Sequence, residues 1–128
     1  MTAVDGATIL LVEDNETIRH AVSILLEESG YRVTQAASGT EALEKAADQP
    51  PDVILMDLGL PDMSGLDVTR RIKADPVTRR SRVIAITGRA METDEAACLD
   101  AGCSGYVAKP VDTRQLLRMI EVELGKKG

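Results

Sequence analysis

The sequence predicts an α/β fold: a doubly wound, open, five-stranded parallel sheet in the order 2-1-3-4-5 with five covering helices. Three observations predict it. Five short apolar runs alternate with five helical patterns along the chain. Most of those runs are apolar on both faces, which requires a parallel sheet buried on both sides. Five strand–helix units are also too few to close an eight-stranded barrel. With 128 residues, 44% hydrophobic and 28% charged, the chain reads as one globular domain over 1–128. Its core spans about 7–124, and it can be buried without disulfides or a structural metal.

Thr8–Val12 is the first strand, and Asp14-Asn15 offers a helix cap behind it. Ile18, Val22, Leu25 and Leu26 then fall on one helical stripe, which Gly30 stops. Tyr31, Val33 and Gln35 alternate with polar neighbours, as in a strand exposed on one side. Ser38-Gly39-Thr40 opens a second helix running through Glu41–Asp48, ended by Pro50-Pro51. Val53–Met56 is an apolar strand leading into Asp57. Ser64 caps a third helix that turns Leu66, Val68 and Ile72 inward. Arg82–Thr87 is the fourth strand, Thr93–Asp100 a fourth helix ending at Gly102, and Ser104–Ala108 the fifth strand. Asp112 or Thr113 caps the last helix, striped by Leu116, Leu117, Ile120 and Leu124.

Composition excludes several functions. There is no Trp or Phe, and Tyr31 and Tyr106 alone cannot build a stacking platform for single-stranded nucleic acid. The net charge of −6 opposes general affinity for phosphate backbones. No apolar run approaches the roughly 18 residues of a membrane span. The start Met1-Thr2-Ala3-Val4-Asp5 lacks the pattern of a secretory signal. Cys98, Cys103 and the single imidazole of His20 do not make a zinc site. A reducing cytoplasm is therefore the expected location, with the cysteines as small buried residues. His20 lies off the apolar stripe and is expected to be exposed.

Chemistry in such a sheet gathers beyond the carboxyl ends of the strands. The first strand ends in Glu13-Asp14, the third in Asp57, the fourth in Thr87-Gly88 and the fifth in Lys109-Pro110. In the predicted order the first and third strands are neighbours, about 4.8 Å apart. Three carboxylates then share one crevice. Like charges 4 Å apart repel by roughly 4 kcal/mol at an effective dielectric of about 20, so a cation or a proton must compensate. Oxygen ligands alone select a hard divalent ion, Mg²⁺ or Mn²⁺. The plainer reading of strand-end acids is that they cap helices, and for Asp14 alone that suffices. It does not explain Asp57, which interrupts an apolar run at a cost unless paired. Nor does it explain Lys109, whose flexible stem can carry a point charge toward Asp57.

LLVEDN at 10–15, LMDLGLPDMSG at 55–65, AITG at 85–88 and YVAKP at 106–110 closely resemble the receiver domain of bacterial two-component response regulators, the CheY-like family with its flavodoxin-like sheet. The motifs stand in family order over essentially the whole chain. The stretch KADPVTRRSRVIAITGRAM resembles stand-alone regulators of the DivK type. The resemblance implies that Asp57 accepts a phosphoryl group from a phosphohistidine. Asp14 and Asp57, with Glu13 and the carbonyl of Gly59, would hold Mg²⁺. Lys109 and the Gly88 amide would contact the phosphoryl oxygens. Thr87 and Tyr106 would form the switch pair, and Pro110 would follow a cis bond. Implied partners are a sensor histidine kinase or histidine phosphotransfer protein docking around the first helix. A downstream protein would dock on the face of the fourth helix, fifth strand and fifth helix, about Met91–Leu124. No DNA-binding module and no membrane segment are expected.

Other readings bear on the same residues. A flavodoxin-like cofactor carrier would need a Ser/Thr/Gly-rich first loop where Glu13-Asp14-Asn15 stands. A Mg²⁺-dependent phosphohydrolase would need a second carboxylate where Gly59 stands. A receiver cut from a hybrid kinase or larger regulator would carry the same motifs. Arg70, Arg71, Lys73, Arg79, Arg80 and Arg82 crowd into thirteen residues, as a solvated edge or as a patch for an anionic ligand. Met56 and Met63 read as packing residues. Gly59, Gly88 and Arg89 depart from the family pattern near the phosphoacceptor and are expected to tune the lifetime of the acyl phosphate. Arg89→Ala should alter the rate at which the phosphorylated form decays; an unchanged decay curve contradicts this.

Overall fold

The computed structural model of the chain describes residues 6–88 and 92–125, with no side-chain description for 92–94. The elements run β1 (Thr8–Val12), α1 (Glu16–Glu28), β2 (Arg32–Ala36), α2 (Gly39–Asp48), β3 (Val53–Asp57), α3 (Gly65–Ala74), β4 (Arg82–Thr87), α4 (Glu92–Ala101), β5 (Gly105–Ala108) and α5 (Thr113–Gly125). All strand pairs are parallel and the sheet order is β2-β1-β3-β4-β5, as the alternation of patterns predicts.

Side-chain alternation along the strands divides the core into two layers. Leu10, Val12, Ile54, Met56, Val83 and Ala85 face Ala42 and Ala46 of α2, Val68 and Ile72 of α3, and Cys98 of α4. Ile9, Leu11, Val53, Leu55, Ile84 and Ile86 face Leu26 of α1 and Leu116 and Ile120 of α5. The central strands are therefore apolar on both faces, and β3 is buried along its whole length. β2 alternates because it lies at an edge.

Local signals fix the helix ends. Asn15 caps α1 by accepting from the Ile18 N–H (3.0 Å), Ser38 caps α2 and Ser64 caps α3. Asp112 accepts from the Arg114 and Gln115 amides at the start of α5. Gly30 and Gly102 follow α1 and α4 at φ +99° and +108°, where L side chains are strained. Among the described residues no helix is long and apolar enough to cross a membrane.

Ile18 departs from its expected place. Assigned to the buried stripe, it is 38% exposed, because the first turn of α1 rises past the end of the sheet. The buried residues of α1 are Ser23 and Leu26, and Ser23 accepts a hydrogen bond from the Gln35 side chain (3.1 Å). His20 is exposed. Met56 is buried and Met63 packs against the same layer. Cys98 and Cys103 are buried free thiols; burial, with Cys98 adding to it, pushes the Cys103 thiol up to about 12. Arg70 and Lys73 of the clustered cations have partners within the chain. Arg70 pairs with Asp67 (2.7 Å), and the Lys73 ammonium donates to the carbonyls of Arg79 and Ser81.

Leu55 is fully buried at the centre of the sheet, so Leu55→Ala should cost about 2–5 kcal/mol in urea unfolding. Val122→Ala, at a position 60% exposed, should stay within about 0.5 kcal/mol. Equal effects from the two would contradict this division of the core.

Candidate functional site

The chain crosses from β2 at one side of β1 to β3 at the other, so a crevice opens beyond the carboxyl ends of β1 and β3. Val12 stands level with Met56, which brings the next residues, Glu13 and Asp57, to the same height. Asp57 pairs with Ile86, and Thr87 with Ala108, so Thr87, Gly88 and Lys109 reach the same rim. Here lies a cavity of about 690 Å³ lined by Glu13, Asp14, Asp57, Gly59, Thr87, Gly88 and Lys109. Of the nine candidate residues it brings together seven. Tyr106 is half-buried on β5 against the layer of α2, α3 and α4. Pro110 is exposed and follows a cis bond from Lys109.

Each side chain is held by identifiable partners. The Glu13 carboxylate is buried, accepting from the Asn15 N–H (3.1 Å) and pairing with the Lys109 ammonium (3.0 Å). Its backbone is fixed on both sides: its N–H donates to Ala36 (3.0 Å) and its carbonyl accepts from the Arg19 guanidinium (2.8 Å). Arg19 is itself braced by the Gln35 side chain (3.1 Å). Asp57 is only 4% exposed. One of its oxygens accepts from the Gly59 N–H (3.0 Å), and the other lies 3.5 Å from the Lys109 ammonium. Asp14 is exposed, and since Asn15 is the cap of α1, the capping role does not account for it.

Glu13, Asp14 and Asp57 each offer a carboxylate oxygen within 4.8 Å of the others. Burial pushes the Glu13 carboxyl above the ordinary range and the Asp57 charge adds to this, although the Asn15 amide and Lys109 oppose both. Burial also disfavours the Lys109 ammonium, yet its bond to Glu13 and the charge of Asp57 outweigh that and keep it protonated beyond the usual lysine range. Three carboxylates against one ammonium leave the pocket short of positive charge (three minus one, two negative charges when all are ionised). An all-oxygen donor set with one ligand open to solvent fits a hard divalent cation that retains water.

Room around the site is generous. A β-carbon on Gly59 would come no nearer than 3.8 Å to Asp57, and one on Gly88 would meet nothing within 4 Å. Both glycines widen the cavity, and no neighbouring protein atom requires a glycine at either position. Gly65 differs: a β-carbon there would stand 2.4 Å from the Asp57 carbonyl oxygen, so only glycine lets α3 start against the end of β3. Arg89 lies outside the described residues. Sequence reasoning passed over Arg19, whose signal was a cation one turn into the helix that follows the acids, and Ile18, which lines the cavity wall.

Lys109→Met would leave Glu13 and Asp57 facing each other without a cation. The expected loss is about 1–3 kcal/mol at pH 7, below the roughly 3–5 of a fully buried pair because Lys109 is 27% exposed. Because the folded-state pKa of Lys109 is raised, its contribution is present below the ordinary value of 10.5 and fades above it. Urea unfolding of the two proteins should therefore converge as pH rises past that point; a constant difference would contradict the pairing.

Comparisons with known proteins agree with this geometry. Residues 9–121 match the response regulator receiver domain family. The chain is 41% identical to the polar-differentiation response regulator DivK of Brucella ovis over 118 residues, covering 92% of this chain and 96% of that protein. The receiver domain of a sensor histidine kinase from Pseudomonas aeruginosa, with a magnesium ion coordinated in its active site cleft, superposes with TM-score 0.87 at 40% identity. That match covers 94% of this chain and 99% of the other. A CheY-like receiver domain protein from Methanospirillum hungatei superposes with TM-score 0.87 at 32% identity, over 94% of both chains. The likeness runs from β1 into α5, and the chain belongs to the response regulator receiver domain family, as a phosphorylation-dependent signalling switch.

Proposed function

We propose that Asp57 is the phosphoacceptor, taking a phosphoryl group from a phosphohistidine of a sensor histidine kinase or histidine phosphotransfer protein. The observation that carries this reading is the environment of Asp57. It is a buried carboxylate at the floor of an open cavity, one oxygen tied to a backbone amide and the other turned toward an ammonium. A carboxylate oxygen attacks phosphorus, the phosphorus–nitrogen bond breaks, and the imidazole leaves with its electron pair. Such transfer asks mainly for positioning and for neutralisation of the equatorial oxygens.

Lys109 supplies one positive charge there, and the Gly88 N–H is a further donor. Asp14, Asp57 and Glu13, with the carbonyl of Gly59, would hold Mg²⁺ or Mn²⁺, which supplies the remaining neutralisation when bound. Thr87 is buried at the end of β4 and would turn its hydroxyl to the new phosphoryl oxygens. Tyr106, two residues before the partner of Thr87 on β5, would respond by rotating, with Pro110 shaping the loop beyond Lys109. The signal would leave through protein contacts on α4, β5 and α5, a face whose expected first residue, Met91, lies outside the described residues. The role is that of a phosphoacceptor regulator limited to its own phosphorylation and dephosphorylation.

Incubation with acetyl phosphate and Mg²⁺ should add one phosphoryl group to the wild type by intact mass, and none to Asp57→Asn or without divalent cation. An unmodified wild type, or a variant that gains phosphate by the same route, would overturn the assignment.

A further inference from the structure

The loop 58–64 between β3 and α3 carries Gly59 and is pinned at both ends. The Gly65 N–H donates to the Leu58 carbonyl (3.3 Å), and the absent β-carbon of Gly65 lets the two backbones touch. Its middle is pinned to a different element. One oxygen of Asp62 accepts from the Gly39 N–H (2.8 Å). The other accepts from the Thr40 N–H (2.9 Å) and the Thr40 hydroxyl (2.8 Å). These are charge-assisted bonds to donors that the first turn of a helix leaves unsatisfied. They hold the Asp62 carboxyl down to about 2, so it is ionised at any working pH.

Met63 completes the contact. A β-carbon on Gly39 would stand 2.3 Å from its Cγ and 2.6 Å from its Sδ, so the loop lies directly on the start of α2. That helix is already capped without Asp62. The Ser38 hydroxyl accepts from the Glu41 N–H (3.1 Å), and the Glu41 carboxylate accepts from the Ala37 N–H (2.7 Å). What the Asp62 bonds add is the position of the loop. Between Asp62 and Gly59 stand only Leu60, packed against the core, and Pro61, whose ring fixes φ. Little slack separates the clamp from Gly59.

We propose that Asp62 is a positioning residue for the divalent cation site: by clamping the β3–α3 loop to the first turn of α2, it couples cation affinity to the order of that turn. The inference rests on the reading that Glu13, Asp14, Asp57 and the Gly59 carbonyl hold the cation. Coupling between two sites is reciprocal. If the clamp raises cation affinity, bound cation protects the clamp, and α2 becomes a second element that senses the state of the site.

The test uses the full chain as wild type, Asp62→Ala, Asp62→Asn and Ser38→Ala, each checked for folding by far-UV circular dichroism. Mn²⁺ affinity is read from the electron paramagnetic resonance of the free ion, and amide exchange at Gly39 and Thr40 by NMR with and without Mg²⁺. Asp62→Ala should weaken Mn²⁺ binding by roughly fivefold, at the low end of site-to-site coupling. Asp62→Asn, which keeps a carbonyl acceptor, should fall between. Ser38→Ala loosens the first turn of α2 but keeps the Asp62 bonds, so it should weaken Mn²⁺ binding less than Asp62→Ala does. Mg²⁺ should slow exchange at Gly39 and Thr40 in the wild type and not in Asp62→Ala. Equal affinity in wild type and Asp62→Ala, an equal loss in Ser38→Ala, or exchange indifferent to Mg²⁺ would overturn the positioning role while leaving the cation site standing. A wild type that binds no Mn²⁺ would remove both.

Discussion

Carboxylates packed close enough to share a ligand repel, and in this protein the backbone leaves them no way apart. β1 and β3 are adjacent and in register, so the residues that follow their last apolar positions must stand side by side. Glu13 and Asp57 are also buried, which strengthens their mutual repulsion. Lys109 meets both and supplies part of the compensation. Burial raises the Glu13 carboxyl, and the neighbouring Asp57 charge adds to that. A site built this way is poised to accept positive charge, which in the proposed function would also offset the charge of the phosphoryl group.

That poise links the rim of the sheet to its surroundings. The Glu13 backbone is tied to β2 through Ala36 and to α1 through Arg19. Asp57 is tied to the β3–α3 loop through Gly59. Lys109 is tied through its amide to the Thr87 carbonyl (2.7 Å). A change of charge at Asp57 therefore acts on several elements through short hydrogen-bonded connections. A local electrostatic event of this kind can bias a two-state surface.

Much of this was legible in the sequence, and the reasons are physical. Short apolar runs such as Val53–Met56, alternating with helical patterns, read as strands buried on both faces, and the sheet order 2-1-3-4-5 then places the acids together. Asp57 was conspicuous because a carboxylate after four apolar residues is costly without a partner, and Lys109 because it was the one cation at a strand end. Periodicity failed where a residue leaves the sheet. Ile18 keeps the spacing of the α1 stripe, but the helix has by then risen above the core. Arg19 left only a faint signal, a cation one turn into the helix that follows the acids, and Asp62 left none. Arg19 meets the backbone of Glu13, six residues before it, whereas Asp62 meets amides 22 and 23 residues away; a side-chain bond to such distant backbone leaves no pattern in the chain itself.

In the proposed function one cation and one phosphoryl group would share the hollow made by Glu13, Asp14, Asp57 and Lys109. The most direct measurement is anomalous diffraction from crystals grown with Mn²⁺ and trifluoroberyllate, a phosphoryl mimic. The account predicts a single manganese peak between the Asp14 and Asp57 carboxylates, with the beryllium on Asp57 and the Lys109 ammonium turned to its fluorides. Manganese bound elsewhere, or the mimic on another carboxylate, would contradict it.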